Sequence, residues 1–200
     1  MTSKPLCEQD PSLGWEGIAQ EFIAARDQSD IGVEVLQAWA GQLPDGGRVL
    51  DLGCGTGVPI SETLIDAGLY VYAVDASPTL AAEFAQRFPQ ARIACEPVES
   101  SDFFGLRFDG IVAVGLMFLL PEDSQRRLIV RIASALSPGG RFLFTSPAQV
   151  CTWADLMTGR ESRSLGECAY SDLLEDSGLE LLGQRLDEGG NCYFDARKYD

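Results

Sequence analysis

Residues Val49 to Gly57 read Val-Leu-Asp-Leu-Gly-Cys-Gly-Thr-Gly, an apolar run interrupted by one acid and closed by three glycines at alternate positions. A short apolar run bounded by such a turn reads as a buried strand. Alternate glycines do two things: they permit backbone angles closed to other residues, and they clear side chains from the place where a ligand must meet main chain. In an open α/β sheet, ligands lie beyond the carboxyl ends of the strands, so this turn faces the expected pocket. A phosphate-binding dinucleotide loop requires G-x-G-x-x-G, and counting from Gly53 and Gly55 puts its third glycine at position 58, which is Val58. The spacing is instead G-x-G-x-G.

From residue 48 onward the pattern alternates strand and helix, as in a parallel sheet flanked by helices. Strands are expected at 48–52, 70–75, 91–94, 109–114 and 141–146, each rich enough in apolar residues to read as buried on both faces. Helices are expected at 58–67, 77–87 and 124–136. Ser77 caps the second with Pro78 at its first position, and Ser137-Pro138-Gly139-Gly140 stops the third. Upstream, 15–27 and 32–40 show helical spacing through Trp15, Ile18 and Phe22 and through Val33, Leu36 and Trp39. At the far end, 179–185 and 192–196 flank Asp187-Glu188-Gly189-Gly190-Asn191, a turn between antiparallel strands, so the sheet finishes as a hairpin. The polar stretch 158–166 reads as a loop or lid rather than a domain boundary.

Composition narrows the function. Two hundred residues with 46% hydrophobic and 22% charged content suit one domain with a sizeable core. The formal net charge is −15, and Lys4 and Lys198 are the two lysines. A surface that acidic repels phosphate backbones, which argues against nucleic-acid binding. No apolar run approaches the roughly 20 residues of a membrane span, and residues 1–10 lack a basic region followed by an apolar stretch, so no membrane partner and a cytoplasmic location are expected. The six cysteines (Cys7, Cys54, Cys95, Cys151, Cys168, Cys192) form no C-x-x-C pair and there is no histidine, so no metal site is expected and most read as buried, reduced thiols.

The second strand ends at Val74-Asp75, where an acid beside the glycine turn can accept both hydroxyls of a ribose. Together, VLDLGCGTG and YAVDAS resemble motifs I and II of the class I S-adenosylmethionine-dependent methyltransferases. FDGIVAVGLMFLLP is similar to the family's fourth-strand segment, and LSPGGRFLF to its turn into the fifth strand. The likeness covers residues 46 to 150, and the final hairpin in outline. It implies a Rossmann-like, seven-stranded, mostly parallel sheet with helices on both faces and a C-terminal antiparallel hairpin. It also implies one methyltransferase domain over 1–200, divided into a helical lid at 1–45 and a core at 46–200, with S-adenosylmethionine as cofactor.

By the same resemblance, Gly53, Cys54 and Gly55 lie under the methionine part, with Asp51 organising that end. Asp75 binds the ribose, Ala76 packs on adenine, and Val98 with Glu99 or a neighbour meets the adenine amino edge. Gly115, Leu116 and Met117 line the methyl-transfer side, and Arg26, one turn after Phe22, pairs with the cofactor carboxylate. The ligand's sulfonium and ammonium suit a site bordered by Asp51, Asp75 and Glu99.

Methyl transfer is an in-line displacement in which the protein aligns the partners and excludes water. A base is needed only where the acceptor must lose a proton; without histidine it would be Asp, Glu, Tyr or Cys, and no catalytic residue is singled out. The fourth strand runs into Gly115-Leu116-Met117-Phe118 rather than an Asn-Pro-Pro-Tyr type of motif, so the expected acceptor is a small molecule. Two alternatives stand beside this reading: a non-catalytic S-adenosylmethionine-binding domain, and a nicotinamide-dependent oxidoreductase, against which Val58 counts. The oligomeric state is not legible.

Overall fold

The computed structural model describes residues 10–26 and 29–200. Cys7 and Asp27, the last residue of the first expected helix, lie outside them.

Seven strands form one sheet: β1 (Arg48–Leu52), β2 (Tyr70–Asp75), β3 (Arg92–Cys95), β4 (Phe108–Ala113), β5 (Leu136–Thr145), β8 (Leu179–Leu186) and β9 (Cys192–Lys198). Their order is β3-β2-β1-β4-β5-β9-β8, with β1 to β5 parallel and β9 antiparallel to both β5 and β8. Chain order reverses between β1 and β4, and such a switch point is where an open sheet leaves a crevice. A separate ribbon pairs β6 (Cys151–Ala154) with β7 (Glu161–Ser164).

Period-two alternation gives the sheet two cores. On one face, Val49, Val71, Val112 and Leu143 meet α2 (Val33–Ala40), α3 (Ile60–Asp66) and α4 (Pro78–Arg87) through Leu36, Trp39, Leu64 and Phe84. On the other, Leu50, Ile111, Phe142 and Phe194 meet α5 (Glu122–Ala135) and α6 (Gly166–Asp176) through Leu128, Ile132, Tyr170 and Leu174. Ser77 caps α4, its hydroxyl accepting from Leu80 N at 3.2 Å with Pro78 next in the helix, a cap that contributes about 1 kcal/mol. Among the described residues, no helix is long and apolar enough to cross a membrane.

Several expectations need correction. β3 is not buried on both faces, because it stands at the sheet edge and each of its residues keeps some exposure. β5 begins at Leu136 rather than residue 141, since the chain leaves α5 directly into pairing with Phe108 before a register shift. The stretch 158–166 is not a free loop: it contains β7 and the start of α6, neither of which the apolar pattern announced. Of the five described cysteines only Cys54 is buried; Cys95 ends the edge strand and Cys168 faces solvent on α6.

Of the segment 1–45, α2 is built into the core through Leu36 and Trp39. Among its described residues, those that reach the crevice lie in the strap at 11–15, in α1 (Ala19–Arg26) and at Ile31.

Candidate active site

At the switch point the carboxyl ends of β1, β2 and β4 open into a cavity of about 270 Å³. Its floor is the glycine turn. Gly53 and Gly55 have φ of +70° and +56°, and a Cβ at Gly53 would stand 3.0 Å from Leu116, so neither the backbone nor the space admits another residue comfortably. Asp75 fixes the turn: one carboxylate oxygen accepts from Gly55 N and the other from Ser77 N, both at 2.8 Å. Each oxygen retains a lone pair for a further donor. Beside it Asp51, 1% exposed, accepts from the Ser61 hydroxyl at 2.7 Å.

Burial dominates the electrostatics of the floor. It pushes Asp51 up to about 7, against the opposing pull of Ser61 and Arg26, with the charge of Asp75 adding to the rise. Asp75 is also raised by burial, opposed by the Ser77 and Gly55 amides. The Cys54 thiol is pushed well up by burial and then by both carboxylates, which makes it a packing residue rather than a nucleophile. A cation placed here would relieve two desolvated acids at once.

The cover comes from the N-terminal segment. Asp10 folds the strap by accepting from Ser12 N, the Ser12 hydroxyl and Gly14 N, and the Arg160 guanidinium lies 3.4 Å from it. Glu16, in the short helical turn Glu16–Ile18 that leads into α1, latches this segment to α4, accepting from the hydroxyls of Ser77 and Thr79 and from Thr79 N. Trp15 and Phe22 pack edge to face at 5.1 Å, and Phe22 sits where a Gly55 Cβ would be, 2.9 Å away. Arg26 enters the cavity half-buried; burial lowers its pKa, while Tyr193, Asp187 and Asp51 counter the fall. Among the described residues it makes no hydrogen bond or ion pair. The Trp15 indole N–H is likewise buried without a partner.

All eleven residues assigned to cofactor binding line this one cavity: Arg26, Asp51, Gly53, Cys54, Gly55, Asp75, Ala76, Val98, Glu99, Gly115 and Leu116. Met117 does not. It is fully buried in the core, because the short helical turn Met117–Leu119 points it inward and leaves Phe118 and Leu119 at the cavity.

Sequence reasoning missed Tyr193 and Asn191, which the β8–β9 hairpin delivers, and Asp155, which the ribbon delivers. It also missed Arg131, whose guanidinium holds the loop at Val98 and Glu99 by donating to their carbonyls at 2.7 and 2.9 Å. Only the hairpin turn carried a signal, and it marked a connection rather than a site.

Comparison with known proteins agrees with this geometry. Residues 49–140 match the family described as "Methyltransferase domain". The cypemycin N-terminal methyltransferase of a Streptomyces species is 41% identical over 114 residues, covering 52% of this chain and 44% of that protein. The trans-aconitate 2-methyltransferase of Variovorax paradoxus is 32% identical over 109 residues, covering 52% of this chain and 40% of that protein. The matched region is thus less than half the length of either relative. In fold, the chain superposes on the Burkholderia thailandensis 1,6-didemethyltoxoflavin-N1-methyltransferase with a TM-score of 0.72 at 23% identity, covering 100% of this chain and 94% of that one. Strand order, glycine turn, family match and relatives agree: residues 49–140 carry a methyltransferase domain, and the fold is that of the class I S-adenosylmethionine-dependent methyltransferases.

Proposed function

We propose that the protein transfers the methyl group of S-adenosylmethionine to a small-molecule acceptor, with residues 10–26 acting as the lid of a single-domain enzyme. One observation carries the reading: the Arg26 guanidinium, without a hydrogen bond or ion pair among the described residues, lines the same cavity as the buried carboxylates Asp51 and Asp75 and feels the charge of Asp51. An amino acid carries its ammonium and carboxylate on the same carbon, and Arg26 close to Asp51 answers both charges. The spare lone pairs of Asp75 suit the two ribose hydroxyls, and Ala76 and Val98 supply an apolar seat for adenine beside the loop held by Arg131.

When bound, S-adenosylmethionine supplies a methyl carbon whose bond to sulfur breaks, the pair passing to sulfur as the acceptor's lone pair forms the new bond. The chain's own work is to orient and to exclude water. The glycine turn and Leu116 set the position from below, and Trp15 and Phe22 close the side from which water would enter. A small acceptor is supported by the net charge of −15, which disfavours polyanions, and by the names of two of the similar proteins, the trans-aconitate and didemethyltoxoflavin enzymes, while the name of the cypemycin relative points to an N-terminus.

Calorimetry with S-adenosylhomocysteine tests the site. Loss of two charge-assisted bonds in Asp75→Ala weakens binding about a hundredfold, and Arg26→Ala about tenfold, the latter with the melting temperature of the free protein nearly unchanged. Binding by both variants equal to wild type would remove these residues from the site. Labelled methyl entering a small-molecule extract supports the acceptor class; label entering DNA or RNA contradicts it.

A further inference from the structure

Beside the first cavity lies a second, open on one side and of about 650 Å³, lined by the β6–β7 ribbon, the β8–β9 hairpin, residues 145–149 at the end of β5 and Phe118 after β4. Four residues line both: Phe118, Thr145, Asp155 and Asn191. They mark the opening where a group in one cavity meets a group in the other.

The chemistry at this opening is one-sided. Asp155 is held by its Oδ1 atom, which accepts from Met157 N at 3.1 Å, Thr158 N at 2.7 Å and the Thr158 hydroxyl at 2.8 Å. Its Oδ2 atom has no donor among the described residues. Asn191 donates its side-chain N–H to Asp187 at 2.8 Å, so its amide is oriented with Oδ1 left over as an acceptor. Two oxygens without donors among the described residues, one of them on a carboxylate, are complementary to a group that brings several N–H bonds and a positive charge. Of the four shared residues, Asp155 alone is ionisable. The rest of the second cavity combines an aromatic face, where the tilted Trp153 and Phe118 rings lie 5.4 Å apart, with polar Ser146, Gln149 and Gln184 and the cation Arg185. Leu186, 70% exposed, stands at its rim. A chain with net charge −15 also concentrates cations around itself.

We propose that the second cavity holds the methyl acceptor, and that Asp155 with Asn191 selects an aliphatic amine carrying a flat apolar group. The inference rests on the methyltransferase reading above and narrows its acceptor. Held as an ammonium, the amine sheds one proton to solvent through the open side of the cavity; the freed lone pair forms the N–C bond while the pair of the C–S bond stays with sulfur. The products are the protonated N-methyl amine and neutral thioether. Asp155 is a positioning residue: it sets where the nitrogen stands and which acceptors are admitted. A free small amine and the N-terminus of a peptide present the same group.

The test is calorimetric binding with S-adenosylhomocysteine saturating. The probes are 2-phenylethylamine against 2-phenylethanol, and a tetrapeptide amide beginning with phenylalanine against its N-acetylated form. Wild type binds at least one amine about tenfold more tightly than its neutral counterpart. Asp155→Asn, which keeps the Oδ1 acceptor, abolishes that preference, and Asp155→Glu keeps part of it, each measured with S-adenosylhomocysteine saturating for that variant. A preference in the first pair alone identifies a free amine, and in the second alone a peptide end. Equal binding of amine and neutral probe in both pairs, or a preference that survives Asp155→Asn, overturns the proposal. If S-adenosylhomocysteine itself does not bind, the underlying methyltransferase reading falls and this one with it; if it binds and no preference appears, this one falls alone.

Discussion

Carboxylates fix both sides of the first cavity, yet in opposite electrostatic settings. On the floor, Asp51 and Asp75 are 1% and 9% exposed, and burial outweighs their hydrogen bonds, so both are raised. On the cover, Asp10 and Glu16 are close to solvent, and the hydroxyls of Ser12 and of Ser77 and Thr79 outweigh burial, so both are lowered. The same bond, from a backbone N–H or hydroxyl to a carboxylate, favours the ionised form on both sides but outweighs burial only on the cover. What differs is the water left around the oxygen.

The signs follow. A group raised on folding contributes stability that is present below its unfolded value and is lost as pH rises through the folded one; for Asp51 the window runs from 3.8 to about 7. A group lowered on folding contributes above its unfolded value, 3.8 for Asp10 and 4.5 for Glu16, and the contribution is lost as pH falls. Mild acid therefore tightens the floor and slackens the cover.

The largest expected effect breaks the floor and spares the cover. At Gly57 a Cβ would lie 2.5 Å from Phe88 and 2.8 Å from Phe84 with φ at +83°, whereas at Gly17 in the cover nothing lies within 4 Å. Gly57→Ala is expected to lose about 2 to 4 kcal/mol in urea denaturation, and Gly17→Ala to be neutral or slightly stabilising. Similar losses at both positions would erase the distinction between the two sides.

A middle-sized effect comes from Asp51. A cationic ammonium beside it favours the ionised carboxylate, so S-adenosylhomocysteine affinity rises about tenfold between pH 6 and pH 8 and binding releases protons near pH 7. The melting temperature of the free protein shifts the other way over the same window. Asp51→Asn flattens both curves; an unchanged pH profile in that variant would assign the dependence elsewhere.

The smallest effect belongs to the latch. Glu16→Gln weakens three bonds that are partly open to water, so cleavage within 10–26 by a probe protease quickens about threefold while the denaturation midpoint scarcely moves. Saturating S-adenosylhomocysteine is expected to slow that cleavage in wild type.

The same contrast explains what was legible in the chain. The floor is written in consecutive residues: an apolar strand, a glycine turn and an acid at the next strand end belong to a local grammar, and Asp51, Gly53, Gly55 and Asp75 fall where it puts them. The walls are tertiary. β7 reads Glu-Ser-Arg-Ser, with no apolar alternation, and exists because it pairs with β6, because Ser164 donates to Pro147 O at 2.6 Å and because Gln125 of α5 donates to Arg163 O at 3.2 Å. Asp155 and Arg131 were invisible for the same reason. Their roles depend on where a ribbon and a helix come to rest, and charged residues on such segments look like any solvated face. Met117 was misplaced because a one-turn helix, too short to show a period, decides which of three neighbouring apolar side chains points inward.

The Glu16 latch has a kinetic consequence. Its two bonds to Thr79 are exposed, so on release each is replaced by one to solvent, and only the bond from the buried Ser77 hydroxyl is partly shielded. Opening therefore resembles unhooking a wet catch more than melting a core: the barrier is low and β1 to β4 stay folded behind it. Under the proposed function, a spent thioether would leave by that door without the sheet giving way, and the rate of the door would set an upper bound on turnover.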